Sequence, residues 1–205
     1  MQLAIFGASG ATGRHLLRQA LDAGHTVTVL LRSAEALPIE HARLTRIVGQ
    51  LDHPATMRTV VQGAEAVISV LGTRKGGAQN ICSDAMRHIL PAMQAAGVRR
   101  LIALSAYGAS ETGKASCWIR FVRTAIAAKM RDKDAMEALV RASTTDWTLV
   151  RPPALTNGRA DGAYRSSTTL KPGLMGRISR ANLAAFMLRA AEEGKHLHQT
   201  PVVCS

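Results

Sequence analysis

At 205 residues the chain is long enough for one domain with a sizeable core. With 47% hydrophobic and 20% charged residues it is not a disordered polyelectrolyte, and no apolar run approaches the roughly 18 residues of a membrane span. The net charge of +12 is scattered rather than clustered, and aromatics are only 3%, which argues against a nucleic-acid platform; the charge alone does not choose between a cofactor phosphate and an anionic substrate.

Residues 3–6 (LAIF) are a short apolar run, the pattern of a buried strand. Gly7, Gly10 and Gly13 follow within seven residues, and Leu16, Leu17, Ala20 and Leu21 then line one face of a helix that Gly24 ends. Val27, Val29, Leu30 and Leu31 make a second apolar strand. Strand, glycine turn, helix and strand make half of a mononucleotide-binding fold. Without side chains, the glycines allow a tight turn, a close approach of backbone N–H groups to a pyrophosphate, and close helix–sheet packing. The helix N-terminus adds partial positive charge. The spacing is G-x-x-G-x-x-G rather than G-x-G-x-x-G, so its position between strand and helix carries the reading. Sites for NAD place an acid about 20 residues on, to accept from the ribose 2′-hydroxyl. Here Arg32 and Ser33 stand at that strand end. A guanidinium cannot accept that bond but binds a 2′-phosphate bidentately, which favours NADPH over a solvated surface role.

Residues 33–43 read as a loop with a short helix, broken at Pro38, before a third strand at 44–48. Gly49, Gln50, Leu51 and Asp52 follow, at a turn that flanks adenine in this topology; Asp52 is equally a cap for the helix running to Gln62. A fourth strand spans 66–71, with Gly72 and Thr73 beyond it, where backbone can pass close to a ribose and pyrophosphate. A helix over 80–96 ends at Gly97, and Pro91 predicts a kink or break. The fifth strand, 98–105, places Ser105 at its C-terminal end, the ligand-binding edge of open α/β sheets, with Tyr107 on the same side if the chain stays extended. A polar loop, 108–116, leads to a long helix over about 118–142, with Trp118 and Met130 expected in the core. A sixth strand, 146–150, stops at Arg151-Pro152-Pro153. Residues 157–176 have no period, and a substrate-side loop is expected over about 154–176. Ser179 caps a last helix, 180–193, and residues 199–203 suit an edge strand. The whole is an α/β single domain, 1–205: a doubly wound parallel Rossmann sheet.

The three cysteines, Cys82, Cys117 and Cys204, form no CxxC and read as reduced thiols. The N-terminus lacks a basic n-region, so no secretory leader is expected and a cytoplasmic location is. His196 and His198 lack further ligands at metal-binding spacing, so no metal is expected.

GASGATG at 7–13, LLR at 30–32, LGTR at 71–74, LSAYG at 104–108, DWTLVRPPALT at 146–156, GAYR at 162–165 and RISRANLAAFMLR at 177–189 come in this order. The chain thereby resembles the atypical short-chain dehydrogenases/reductases, closest to the biliverdin reductase B/flavin reductase group. The resemblance implies Gly7, Ser9, Gly10, Ala11, Thr12 and Gly13 around the pyrophosphate of NADPH. It implies Arg32 and Ser33 at the 2′-phosphate, Gln50 and Leu51 by the adenine, and Gly72, Thr73 and Arg74 near the ribose. Ser105 would lie by the nicotinamide, Pro153, Ala154 and Leu155 on its other side, and Tyr107, Tyr164 and Arg177 toward the substrate. Many relatives pair a serine with Tyr-x-x-x-Lys. Ser105 and Lys133 fit, but Lys129 stands where the tyrosine would, and Ala154 where many biliverdin reductase B-like proteins carry histidine. Ser105 is then the candidate oxyanion donor, Lys133 the family lysine, and Tyr107 the substitute acid. The resemblance implies an NADPH-dependent reductase passing hydride to a flavin, quinone or linear tetrapyrrole, as a monomer or weak homo-oligomer. An NADP(H)-sensing protein similar to the NmrA-like regulators, binding without turnover, is the other reading.

Overall fold

The computed structural model describes residues 1–73, 79–173 and 175–205. Strand β1 (Gln2–Phe6) is buried from Leu3 onward, as an unbroken apolar run requires when helices cover both faces. It pairs in parallel with β2 (Thr26–Leu31), which carries β3 (Leu44–Val48) on its outer edge. On its other side β1 pairs with β4 (Ala66–Ser69), followed by β5 (Arg100–Leu104) and β6 (Asp146–Val150). Among the described residues these six strands form one parallel sheet in the order β3-β2-β1-β4-β5-β6. The winding reverses between β1 and β4. Ligands bind in the crevice at the carboxyl ends of the strands there.

Helix α1 (Ala11–Asp22) and the last helix, α6 (Arg180–Glu192), cover one face, where Leu16, Leu17, Leu183 and Met187 meet the sheet. On the other face α2 (Pro54–Val61) and α3 (Ile81–Ala95) pack with α5 (Ala127–Arg141), through Met57, Met86, Ile89 and Met136. Ser179 caps α6 as its position suggests, accepting from the Asn182 N–H at 3.0 Å. Cys82 and Cys204 are buried free thiols.

Four details differ from the sequence expectations. The long helix of 118–142 is two, α4 (Cys117–Ala125) and α5, interrupted at Ile126, whose φ of −121° is not helical. The break swings Trp118 out of the core to 46% exposure, while Met130 stays buried. Helix α3 continues past Pro91 without the break that is one of the two outcomes expected there; the proline is exposed, while Ile89, Ala92 and Met93 remain packed. Asp52 caps nothing: Pro54 starts α2 without needing a donor, so the capping position falls on His53, whose ring meets the Thr56 hydroxyl. The stretch 154–176 contains β7 (Ala154–Thr156) and β8 (Arg165–Ser167); β7 pairs with β9 (Arg177–Ser179), and β8 with β10 (Val202–Cys204), which begins later than expected. Three-residue strands are too short to show a period.

A β-carbon at Gly13 would stand 2.1 Å from the Gly7 carbonyl oxygen and 2.8 Å from the Ala8 Cα, both backbone atoms. Gly13→Ala must therefore push α1 off β1. It should cost about 1–3 kcal/mol or more in urea unfolding, and weaken dinucleotide binding in whatever fraction stays folded.

Candidate cofactor site and active site

β1 delivers the chain to Gly7, whose φ of +88° turns it sharply out of the sheet. The Gly10 N–H closes the turn on the Gly7 carbonyl at 2.9 Å, and α1 begins at Ala11. Among the described residues no side-chain cap is seen at Gly10, and no acid lies in the first turn, so the N–H groups at the start of α1, from Ala11 to Gly13, suit an anion. Gly7 lies against Val70 and Leu71: a β-carbon there would approach their backbone at 3.1 Å. The turn thus abuts the C-terminal exit of β4 at the switch point. Beyond it Gly72 is exposed, with no atom of the described residues within 4 Å of a β-carbon placed there, and Thr73 is half-buried. This cradle fits a pyrophosphate. Arg74 lies outside the described residues.

On the other side of β1, Arg32 and Ser33 follow β2 and are exposed. Among the described residues Arg32 has neither a hydrogen bond nor an ion pair. Ser33 faces Glu35, whose carboxyl is held below its usual range by its own backbone N–H and by the Ser33 hydroxyl. Arg14 is a residue the sequence reading passed over. Its guanidinium donates to the Ser9 carbonyl at 3.2 Å and the Ala36 carbonyl at 3.3 Å, tying the glycine turn to the segment after β2. Gln50 is exposed, and Leu51 packs partly on the core.

Toward β5 and β6, one helix secures the edge. From α5, Asp132 accepts from the backbone N–H groups of Cys82 (3.0 Å) and Ser83 (2.8 Å), supplying the cap that α3 lacks locally. Lys133 donates from Nζ to the carbonyls of Leu71 (3.2 Å) and Leu104 (2.5 Å), bridging the exits of β4 and β5. Glu137, fully buried, accepts from the Ser105 hydroxyl at 2.5 Å and the Ser110 hydroxyl at 2.7 Å. Arg151, 1% exposed at the end of β6, donates to both Glu137 oxygens (2.9 and 2.5 Å) and to both oxygens of Glu111 (2.6 and 3.0 Å). Burial opposes the Glu137 charge, but hydrogen bonds and attraction from Arg151 outweigh it, so its carboxyl stays below the ordinary range. The same partners raise Arg151 against its own burial. Hydrogen bonds from Arg151 hold Glu111 at about 2.

The fold therefore brings Gly7, Leu71, Lys133 and Ser105 to one edge. Ser105 is 3% exposed and its proton is committed to Glu137, so an alkoxide would have to displace that bond to receive it. The Lys133 ammonium is likewise engaged by two carbonyls. Tyr107 is half-buried beside β6, its N–H donating to the Pro152 carbonyl at 2.8 Å. Pro153, Ala154 and Leu155 continue from there, and Arg177 opens β9 opposite Ala154 with its side chain exposed. Tyr164 stands edge-on to Phe186 at 6.0 Å, its hydroxyl buried with no partner among the described residues. Sequence reading missed Glu137, Glu111 and Asp132 as functional-edge residues. The one available signal was that Lys133 and Glu137 sit four apart, on one helix face.

A parallel sheet in this order, with a bare glycine turn at its switch point, defines a dinucleotide-binding Rossmann protein. The chain belongs to the NAD(P)H-binding family, whose pattern matches residues 7–194. It is 31% identical to a ceramide reductase of Caulobacter vibrioides over 75% of this chain and 46% of that protein. It is 29% identical to the photosystem II assembly factor Ycf39 of a Synechocystis strain, over 56% of this chain and 36% of that one. It thus spans less than half the length of these curated relatives. Among solved structures it resembles ChuY, an anaerobillin reductase from Escherichia coli O157:H7, with a TM-score of 0.86 at 22% identity over 99% and 96% of the two chains. A short-chain dehydrogenase/reductase from Veillonella parvula in complex with NADP gives 0.81 at 20% identity over 100% and 94%. At these identities the structures show the fold alone. Together these findings agree with the resemblance to atypical short-chain dehydrogenases/reductases.

The carboxylates of Glu111 and Glu137 are lower in the folded chain than in the unfolded one, where they titrate near 4.5. Their contribution is therefore complete above pH ~5 and lost as pH falls from about 4.5 toward 2. Arg151→Met leaves the buried Glu137 with Arg141, 3.3 Å away and partly exposed, as its one remaining cation among the described residues, and should cost about 3 kcal/mol at neutral pH, the low end for a broken buried pair. In that variant protonating Glu137 relieves the penalty, so urea midpoints of variant and wild type should converge on acidification.

Proposed function

We propose that the protein is an NADPH-dependent reductase that passes hydride to a planar, electron-poor acceptor such as a flavin, a quinone or a linear tetrapyrrole. The observation that carries the cofactor choice is Arg32, exposed at the end of β2 and without a hydrogen bond or ion pair among the described residues, where an NAD site would need a carboxylate. The family membership and the reductases among the relatives support the reaction class.

The nicotinamide supplies the hydride when bound. The chain's own residues hold and orient. The Ala11, Thr12 and Gly13 N–H groups take the pyrophosphate, and Arg32 takes the 2′-phosphate, with Arg14 bracing the loop between them. Lys133 keeps the exits of β4 and β5 in register, and Ser105, held by Glu137, stiffens the floor beside the nicotinamide. Pro153, Ala154 and Leu155 close the other side, with Leu155 and Tyr164 both packed against the core and Arg177 at the outer, substrate side. With Lys129 in place of a phenol and the Ser105 proton engaged, the acceptors that suit this site are those whose reduced form solvent can protonate. Tyr107, half-buried after β5, is the candidate acid.

The same two commitments, of the Ser105 proton and the Lys133 ammonium, favour a second reading: an NADP(H) sensor of the NmrA-like kind, without turnover. Mixing protein and NADPH with FMN, a quinone or a tetrapyrrole separates the two. Steady oxidation above the uncatalysed rate supports the reductase; tight binding with no oxidation on any acceptor supports the sensor.

NADPH should bind more tightly than NADH, and Arg32→Ala should remove most of that difference, about 1.5–3 kcal/mol for a charge-assisted contact. Equal dissociation constants in a fluorescence titration of the wild type would overturn the cofactor assignment. Tyr107→Phe should lower reduction of carbonyl acceptors and leave flavin reduction unchanged in a parallel steady-state assay, if its phenol serves as the acid.

A further inference from the structure

Between the loop after β5 and the start of α5 lies an open cavity of about 360 Å³. Gly113 and Lys114 line it from the loop, Arg120 and Arg123 from α4, and Ala127 and Arg131 from α5. Four of its side chains are cations and none is an acid. Arg123 is spent on structure: it donates to the Gly108 carbonyl at 2.6 Å and pairs with Asp134. Gly113 leaves it room, since a β-carbon there would stand 3.1 Å from its Nη1. Among the described residues Lys114, Arg120 and Arg131 have no carboxylate partner. The acids of the neighbourhood are taken, Asp134 by Arg123 and the Ser110 N–H, Glu111 by Arg141 and Arg151. Cations held around one hollow repel each other, and an anion entering it relieves that repulsion.

The cavity stands at the same end of the sheet as Ser105. Arg131 comes two residues before Lys133, which reaches the exits of β4 and β5. Gly108, which holds Arg123, comes three residues after Ser105, a separation of at most about 11 Å along the chain. The segment between them is fixed: the Tyr107 N–H is held by the Pro152 carbonyl and the Ser110 hydroxyl by Glu137. A planar ring carrying a side arm can bridge such a distance.

We propose that this cavity takes the anionic arm of the acceptor, a phosphate or carboxylate group carried on its ring system. Arg120 and Arg131 supply charge-assisted hydrogen bonds, and Lys114 a point charge. The role rests on the reductase reading and narrows it: a flavin phosphate or a tetrapyrrole with propionates is favoured over a neutral quinone. On that reading the phosphates of the dinucleotide are already taken by α1 and Arg32, so the cavity is left for the second ligand.

The test uses the full chain, with and without NADP⁺, and two pairs of probes that share a ring system and differ in charge: FMN with riboflavin, and biliverdin with its dimethyl ester. Dissociation constants come from flavin fluorescence and tetrapyrrole absorbance. The charged member of at least one pair should bind about tenfold more tightly or better. A preference for FMN assigns a phosphate arm, and one for biliverdin a carboxylate arm. Arg120→Ala and Arg131→Ala should each cut the preference about threefold, and the double variant should remove most of it. Steady-state kcat/KM for the charged probe should fall in parallel, with that for the neutral probe unchanged. Arg58→Ala on α2, which α3 separates from α5, removes the same charge and should leave the preference intact, which tells a built site from the general field of a +12 chain. Arg120 and Arg131 are exposed, and circular dichroism checks the fold of each variant. Equal affinity within both pairs overturns the proposal, as does a preference that the double variant keeps or that Arg58→Ala removes. So does binding of inorganic phosphate that the double variant abolishes while both pairs stay unaffected. A charge preference lost in the double variant, with no NADPH oxidation by any probe, overturns the reductase reading instead and leaves the cavity holding the arm of a ligand that is bound without being reduced.

Discussion

Everything at the ligand-binding edge follows from one close crossing. Gly13 passes the Gly7 carbonyl with no room for a side-chain atom. That contact lets α1 lie directly on β1, so that Leu16, Leu17 and Leu21 reach the core while the helix N-terminus opens on the switch point. A methyl group there would separate helix from strand. It would move the only uncapped first turn that the described residues place beside Val70 and Leu71. Close packing and anion binding are thus one requirement, met by the same missing side chain.

The opposite half of the edge is held by polar contacts instead. Asp132, Lys133 and Glu137 leave one turn and a half of α5 toward three separate targets: the start of α3, the exits of β4 and β5, and Arg151 at the end of β6. Burying charges in this way is costly unless every partner is satisfied. Here each Glu137 oxygen accepts from both Arg151 and a serine hydroxyl, and Arg151 spans two carboxylates. Such a network adds less to stability than to uniqueness: it permits one arrangement of the strand exits. Arg100 does similar work at the far end of β5. It donates to carbonyls of Asp146, Ala190 and Lys195, with burial pushing it down to about 10.

These commitments bear on chemistry. A serine whose hydrogen is already given to a carboxylate and a lysine already shared by two carbonyls define a rigid floor rather than an acid. A site of this kind binds and orients a planar cofactor well. On the proposed reductase reading, protonation of the product falls to solvent or to a residue outside the network.

The sequence by itself determined the sheet strands, the glycine turn, the α6 cap and the class of ligand. Each rests on local patterns: apolar runs, glycines at fixed offsets, a serine before a helical stripe. Arg32 at the end of β2 was legible for the same reason, since its place depends only on strand length. Tertiary structure decided the rest. Ser105 and Lys133 were visible as residues, but what they touch was not, because Glu137 and Arg151, 14 residues apart in the chain, come from different elements and meet only once α5 lies across the sheet. It is that packing which buries three charged residues of α5, Asp132, Lys133 and Glu137. Trp118 read as core by spacing, and the break at Ile126 turned it outward, because a periodic pattern carries no information about where a helix is interrupted.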